Sequence, residues 1–148
     1  MVDAKEQIQS DVKEAMRSRD SKTLGALRLI TAAIKQIEVD ERIVVDESRL
    51  LTLLGKLAKQ REESIRQFQV AGRDDLVAQE QFELDLIRKY LPRPLSQEAL
   101  EALITQALKE AEATKMSDMG KVMTILKPQI QGRADMSKVS ALIKDKLS

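Results

Sequence analysis

Apolar residues recur at spacings of three and four along most of this 148-residue chain, and such spacing places them on one face of an α-helix. Between 21 and 38, for example, Leu27, Ile30, Ile34 and Ile37 form one such stripe. The pattern predicts seven helices, at about 3–19, 21–38, 47–71, 74–90, 97–111, 118–127 and 136–147. We therefore predict an all-α fold, in which an N-terminal helical part of about four helices precedes a small C-terminal three-helix module.

Polar caps, glycines and prolines mark the ends of these helices. Asp46, Ser96 and Asp135 are expected to cap the third, fifth and seventh helices, since a short polar side chain accepts hydrogen bonds from free backbone N–H groups. Gly72 is expected to end the third helix. Pro128 is expected to end the sixth, because proline lacks the N–H that continues a helix.

The stretch YLPRPLSQE, with Pro92 and Pro94, is the best candidate for a domain boundary, because two prolines forbid a continuous helix there. The chain is thus divided into an N-terminal helical domain at 1–92 and a C-terminal three-helix domain at 95–148. The second domain has a predicted core that consists of Met119, Val122, Met123, Leu126, Val139, Leu142 and Ile143.

Two glycines and one pair of charged residues predict further contacts in the N-terminal helices. Gly25 and Gly55 lie inside helical patterns, where glycine costs about 1 kcal/mol relative to alanine, so a neighbouring backbone is expected to pack closely there. Glu62 and Arg66, acid first and base four residues later, are expected to pair along the helix surface.

Composition excludes several kinds of chemistry. The chain has 43% hydrophobic and 33% charged residues, no cysteine and no histidine, so thiol nucleophiles, disulfides and the commonest metal ligand are absent. The adjacent acids at 62–63 and 74–75 diverge by about 100° on a helix, so no metal site and no cofactor are expected. Because no segment resembles a membrane span and the start is too charged for a secretory signal, we expect a cytoplasmic protein without membrane contact.

Basic residues concentrate at the C-terminal end. Residues 115–148 hold seven basic and three acidic side chains, a net charge of +4. Several polar side chains lie outside the predicted core, around the corner between the sixth and seventh helices. These candidate anion-binding residues are Lys121, Lys127, Gln131, Arg133 and Lys138. Such a corner can hold the phosphate oxygens of a folded RNA, or it can be an ordinary solvated turn. Because aromatic residues make up only 2% of the chain, a stacking platform for single strands is disfavoured.

Four motifs closely resemble the YqeY-like proteins: LRLITAAIKQIEVDER at 27–42, KQREESIRQFQVAGRDDL at 59–76, ELDLIRKYLPRPLSQEAL at 83–100 and DMGKVMTILKPQIQGRAD at 118–135. This family resembles the C-terminal tail of GatB, the B subunit of the tRNA-dependent amidotransferase. The resemblance implies a two-part helical fold and a possible tRNA contact through the M-G-K-V run at 119–122 and the G-R-A-D run at 132–135. The family often has Gly after that Asp, whereas this chain has Met136.

Three functions follow as hypotheses. The first is an accessory factor that binds tRNA backbone and is linked to the amidotransferase. The second is a protein-interaction module that docks an amidotransferase subunit or an aminoacyl-tRNA synthetase. The third is a genuine amidotransferase component: the resemblance carries the label of a carbon–nitrogen ligase with glutamine as amido donor. The chain alone shows no catalytic site of its own.

Overall fold

The computed structural model describes residues 3–148, which contain seven α-helices, one short 3₁₀ helix and no strand. The predicted all-α fold is confirmed. The helices are α1 (Ala4–Arg17), α2 (Ser21–Glu41), α3 (Glu47–Val70), α4 (Asp74–Lys89), α5 (Gln97–Glu110), α6 (Met119–Ile130) and α7 (Met136–Leu147), and the 3₁₀ helix is Met116–Asp118.

Short polar residues cap the helix starts as the sequence predicts. The carboxylate of Asp46 accepts a hydrogen bond from the backbone N–H of Arg49 at 2.8 Å, and the Ser96 hydroxyl accepts one from Ala99 at 3.1 Å. Asp135 accepts one from the N–H of Ser137 at 2.9 Å. The three predicted caps are confirmed, and each is worth about 1 kcal/mol to its helix.

Three helices end in the same backbone closure, in which one residue takes the left-handed conformation. That residue is Arg19 after α1, Gly72 after α3 and Glu112 after α5, with φ of 58°, 71° and 51°. In each case the next N–H reaches back to the helix: Asp20 to Ala15 at 2.9 Å, Arg73 to Phe68 at 2.9 Å and Ala113 to Leu108 at 3.0 Å. Gly72 thus ends α3 as predicted, and the other two closures use residues with a side chain.

Pro128 does not end α6, contrary to the prediction. The helix continues to Ile130 with the proline inside its last turn, and the N–H of Gln131 still donates to the Lys127 carbonyl at 3.1 Å. Ile130 is fully buried. Burial of such a side chain contributes about 1.5–3 kcal/mol, which offsets the cost of about 3 kcal/mol for a proline in a helix.

The first compact unit ends at Pro92 and contains α1–α4. Helices α3 and α4 pack along one another on either side of the Gly72 turn, and α1 packs on α2. Its core includes Ile8, Leu27, Ile30, Val45, Leu50, Leu54, Leu84, Ile87 and Tyr90. Val45 and Leu50, the residues on either side of the Asp46 cap, are both buried.

The second compact unit is Arg93–Ser148 and contains α5–α7. Of the predicted core, Val122, Leu126, Val139 and Ile143 are fully buried. The other three predicted core residues, Met119, Met123 and Leu142, are partly buried against this cluster. Leu100, Ile104, Ala107, Ile130 and Leu147 complete it.

Two expectations about the first unit are wrong. A Cβ added at Gly25 or Gly55 would meet no atom within 4 Å, so no backbone packs closely on either glycine. Arg66 pairs with Glu63 rather than with Glu62. Glu62 instead pairs with Arg88 of α4 at 2.9 Å, because the neighbouring helix brings a second guanidinium to it.

Candidate nucleic-acid interface

A tight turn joins α6 to α7 in the second unit. Gln131 has φ −57° and ψ 125°, Gly132 has φ 74°, and the N–H of Arg133 donates to the Ile130 carbonyl at 2.8 Å. These values define a type II turn, which favours glycine at its third position because φ is positive there. Gly132 therefore supplies the backbone freedom that this turn requires.

Two hydrogen bonds tie this turn to the segment that precedes α5. The N–H of Leu95 donates to the Arg133 carbonyl at 2.9 Å, and the Arg133 Nε donates to the Arg93 carbonyl at 3.2 Å. Arg133 is half-buried, while the Arg93 side chain is exposed. The structure therefore adds Arg93 to the basic corner, which the sequence reasoning did not include.

The five predicted residues do not all lie at this turn. Lys127, Gln131 and Arg133 occupy the end of α6 and the turn, and Lys138 lies in the first turn of α7. Lys121 lies in the first turn of α6, and the six-residue separation puts it about 9 Å from Lys127 along the helix axis. Four of the five therefore lie at or next to the turn along the chain, Arg93 joins them through its contact with Arg133, and Lys121 lies further away on α6.

An acid lies near Lys121. Backbone N–H groups of Thr114 and Lys115 donate to the Asp118 carboxylate at 3.0 and 3.3 Å, and with the positive charges of Lys121 and Lys115 they lower the pKa of Asp118. The carboxylate is therefore ionised at neutral pH and partly offsets the field of Lys121.

Ion pairs are distributed unevenly between the two units. In the first unit, Lys5 pairs with Glu38 at 3.1 Å and Arg49 with Glu41 at 2.7 Å, and further pairs join α3 to α4 and α4 to α1. Within residues 3–148, no lysine or arginine of the second unit lies at ion-pair distance from a carboxylate. The basic side chains of the second unit are exposed, except that of Arg133, which is half-buried.

The first unit holds a charged cluster between α3 and α4. The Arg61 Nε lies 2.9 Å from a Glu83 oxygen and 3.5 Å from a Glu80 oxygen, and all three side chains are at most 20% exposed. Within the described range, neither the Arg61 Nε nor the Glu80 Oε2 has a hydrogen-bond partner. Burial raises the pKa of Glu80, attraction to Arg61 opposes this, and repulsion from Glu83 adds to it.

Tyr90 makes a further part-buried polar contact in the first unit. Its hydroxyl donates to the Asp11 carboxylate at 2.5 Å, which Gln7 and Lys89 also contact. Burial and the Asp11 charge raise the pKa of Tyr90. Partial burial raises the pKa of Asp11, but the hydrogen bonds outweigh it and the net pKa is lowered. The pair joins α1 to the end of α4.

Neither a clustered metal site nor a membrane-spanning helix is found among the described residues. Across residues 3–148, no three acidic side chains gather in a geometry that could hold a metal ion. No helix in the same range is both long enough and apolar enough to cross a membrane.

This chain is similar to a known protein family over nearly its whole length. A family model described as Yqey-like protein matches residues 5–147. A relative from Pyrenophora tritici-repentis, named "Altered inheritance of mitochondria protein 41, mitochondrial", is 34% identical over 142 residues, which cover 93% of this chain and 77% of the relative. Proteins of the same name from Saccharomyces cerevisiae S288c and Eremothecium gossypii are each 40% identical, over 93 and 90 residues.

Those two alignments cover 62% and 60% of this chain, and 50% and 49% of the relatives, so the matched region spans about half the length of these proteins. All three relatives are named as mitochondrial. This finding contradicts the expectation of a cytoplasmic protein, because these relatives are named for mitochondria. The expectation rested on the absence of a membrane-span pattern and on a start too charged for a secretory signal, and neither feature distinguishes the cytoplasm from the interior of a mitochondrion.

Proposed function

Because the chain belongs to the YqeY-like protein family, we propose that it is an accessory protein that binds the phosphate backbone of tRNA through its second unit. The observation that carries the proposal is the set of cations there without ion-pair partners among residues 3–148. Four of them lie around the α6–α7 corner: Arg93, Lys127, Arg133 and Lys138. Cations that make no ion pair in this range are available to phosphate oxygens, which supply most of the affinity in sequence-independent binding.

The proposed link to a tRNA-dependent amidotransferase rests on the resemblance to the GatB tail. In this role the chain positions tRNA, and the amide-transfer chemistry belongs to a partner subunit with its own catalytic domain. The chain is proposed to have no catalytic residue. Reconstitution with a glutaminase subunit, mischarged tRNA and ATP tests the link, and a rate of amidation that is unchanged by the chain would count against it.

Binding of deacylated tRNA(Gln), tRNA(Asn) and an unrelated tRNA over a range of salt concentrations tests the RNA proposal. If about three phosphates are neutralised, the logarithm of the association constant should fall with the logarithm of the salt concentration with a slope near −3. The variant with Lys121, Lys127 and Lys138 all changed to Ala should bind weakly and with a slope much closer to zero.

A charge-matched control is available in the first unit. Lys13, Lys35 and Lys56 are exposed, and their change to Ala removes the same total charge. This control variant should bind as the wild type does. Equal loss in both variants would show that net charge, and not the second unit, determines the affinity.

Exposed apolar residues favour a second candidate function, a protein-interaction module. Val39, Ile43 and Val44, at the connection from α2 to α3, are 64%, 41% and 80% exposed. Exposed apolar residues this close together in sequence are candidates for a docking surface, since contiguous exposed apolar surface marks interaction sites. Binding of a purified amidotransferase subunit or aminoacyl-tRNA synthetase that survives nuclease and is lost when all three residues become Ser would support this function. Unchanged binding by that variant would exclude this docking surface.

A further inference from the structure

Arg93 and Arg133 are 40 residues apart in sequence but meet in the second unit. The Arg133 Nε–H donates to the Arg93 carbonyl, and the Arg133 carbonyl accepts from the N–H of Leu95. Side chain and backbone of Arg133 are therefore both attached to the same short segment. An arginine held in this way loses less rotational freedom when it binds a ligand.

The segment that receives Arg133 is itself restricted. Arg93 lies between Pro92 and Pro94, and a residue before proline is confined to extended backbone geometry. On the other side, the type II turn with Gly132 fixes the direction of the Arg133 backbone. The carbonyl that accepts the Nε–H and the residue that donates it are thus both set by local chain chemistry.

The hydrogen bond to Arg93 occupies only the Nε–H of Arg133. The two terminal amino groups of the guanidinium remain, and they can grip two oxygens of one phosphate in parallel. Within residues 3–148 neither arginine has an ion-pair partner, and the Arg93 side chain is exposed beside this position. The site therefore offers one guanidinium held by a hydrogen bond and one that is exposed to solvent.

We propose that Arg93 and Arg133 form a two-arginine phosphate site for the RNA backbone, in which the Arg93 carbonyl positions the Arg133 guanidinium. This inference rests on the proposed function and gives it a specific contact. Arg133 binds a phosphodiester group through two parallel hydrogen bonds. Arg93 binds the same or the adjacent phosphate as a flexible charge. The shape of the guanidinium is therefore essential at 133 and only its charge is needed at 93.

The contrast between two conservative variants tests the site. Arg93→Lys should bind tRNA as the wild type does, because the charge is retained. Arg133→Lys should bind about tenfold more weakly, because a lysine has no Nε–H for the Arg93 carbonyl and cannot make a bidentate contact. Arg93→Ala should reduce the magnitude of the salt slope by about one. Circular dichroism of each variant verifies that the helices are retained.

The outcomes distinguish this site from the proposed function. If the wild type binds tRNA, the triple lysine variant does not, and all three arginine variants bind as the wild type does, then the two-arginine site is wrong and the RNA proposal stands. If Arg133→Lys binds normally while Arg93→Ala is impaired, the positioning by the Arg93 carbonyl is wrong. If the wild type does not bind tRNA at low salt, both are wrong.

Discussion

The Arg61 cluster of the first unit gives a prediction about two glutamates that look equivalent in sequence. Glu80 and Glu83 lie one helical turn apart on α4 and share one guanidinium. We expect Glu83→Gln to destabilise the first unit by about 1–2 kcal/mol, as loss of a partly buried charge partner does. Glu80→Gln should be neutral or stabilise it by up to about 1 kcal/mol.

The difference follows from geometry. At an effective dielectric constant of about 20, attraction to Arg61 is about 6 kcal/mol for Glu83 at 2.9 Å and about 5 kcal/mol for Glu80 at 3.5 Å. Glu80 also carries a buried oxygen without a hydrogen-bond partner within the described range, which costs about 1–3 kcal/mol. Together these two differences make the contribution of ionised Glu83 to the stability of the first unit more favourable than that of Glu80, by about 2 kcal/mol or more.

Urea denaturation followed by tyrosine fluorescence measures the effect in the correct unit. The chain has one tyrosine and no tryptophan, and Tyr90 is 7% exposed in the first core, so its emission reports that unit alone. If the free energies of unfolding of the two variants differ by about 2 kcal/mol, their urea unfolding midpoints should differ by about 1 M. Equal destabilisation by the two variants would show that attraction to Arg61 outweighs desolvation at Glu80, and would refute the reasoning.

The pH dependence supplies a second check. The folded pKa of Glu80 is raised, so the folded state binds the proton more tightly than the unfolded state. Stability from this group is therefore lost as pH rises through the interval between its unfolded and folded pKa values. Any gain in the free energy of unfolding of Glu80→Gln over the wild type should be present at pH 7 and disappear near pH 4. An advantage that grows in acid would have the wrong sign.

Three further predictions concern single side chains. Gly25→Ala and Gly55→Ala should each raise the free energy of unfolding by about 0.5–1 kcal/mol in urea titrations, because no atom obstructs a Cβ at either position; a loss of stability would indicate a contact there. Tyr90→Phe should lower the free energy of unfolding by about 1.5 kcal/mol and make it less sensitive to acid, since the lowered pKa of Asp11 depends on the tyrosine hydroxyl. Urea unfolding followed by circular dichroism at several pH values measures the stability and its acid sensitivity. An unchanged acid sensitivity would contradict the hydrogen bond between Tyr90 and Asp11 as the cause. Gly132→Ala should destabilise the second unit by about 1 kcal/mol because of its positive φ, visible as a lower melting temperature; an unchanged value would argue against the type II turn.

The parts of the fold that the sequence predicted correctly are determined locally. The caps at Asp46, Ser96 and Asp135 depend on hydrogen bonds that span two or three residues, so the residue type suffices to place them. The errors arise where a distant residue decides. Pro128 remains inside α6 because Ile130 is buried in the core, and that burial cannot be read from the proline itself.

The candidate site was predictable only in part, for the same reason. Lys127, Arg133 and Lys138 stand out because they are close in sequence around one turn. Arg93 does not, since a contact across 40 residues brings it there. The available signal was its position between two prolines, which indicates a rigid segment but not what lies against it. The RNA-binding role of all these residues remains a prediction.

The closures after α1 and α5 have a consequence for how this protein can evolve. Arg19 and Glu112 hold a left-handed backbone that glycine adopts without penalty, so each position carries about 1 kcal/mol or more of avoidable strain. Every arginine or glutamate codon becomes a glycine codon by one nucleotide change. A lineage could therefore compensate a damaging mutation elsewhere in the same unit by one such change, without altering any buried residue.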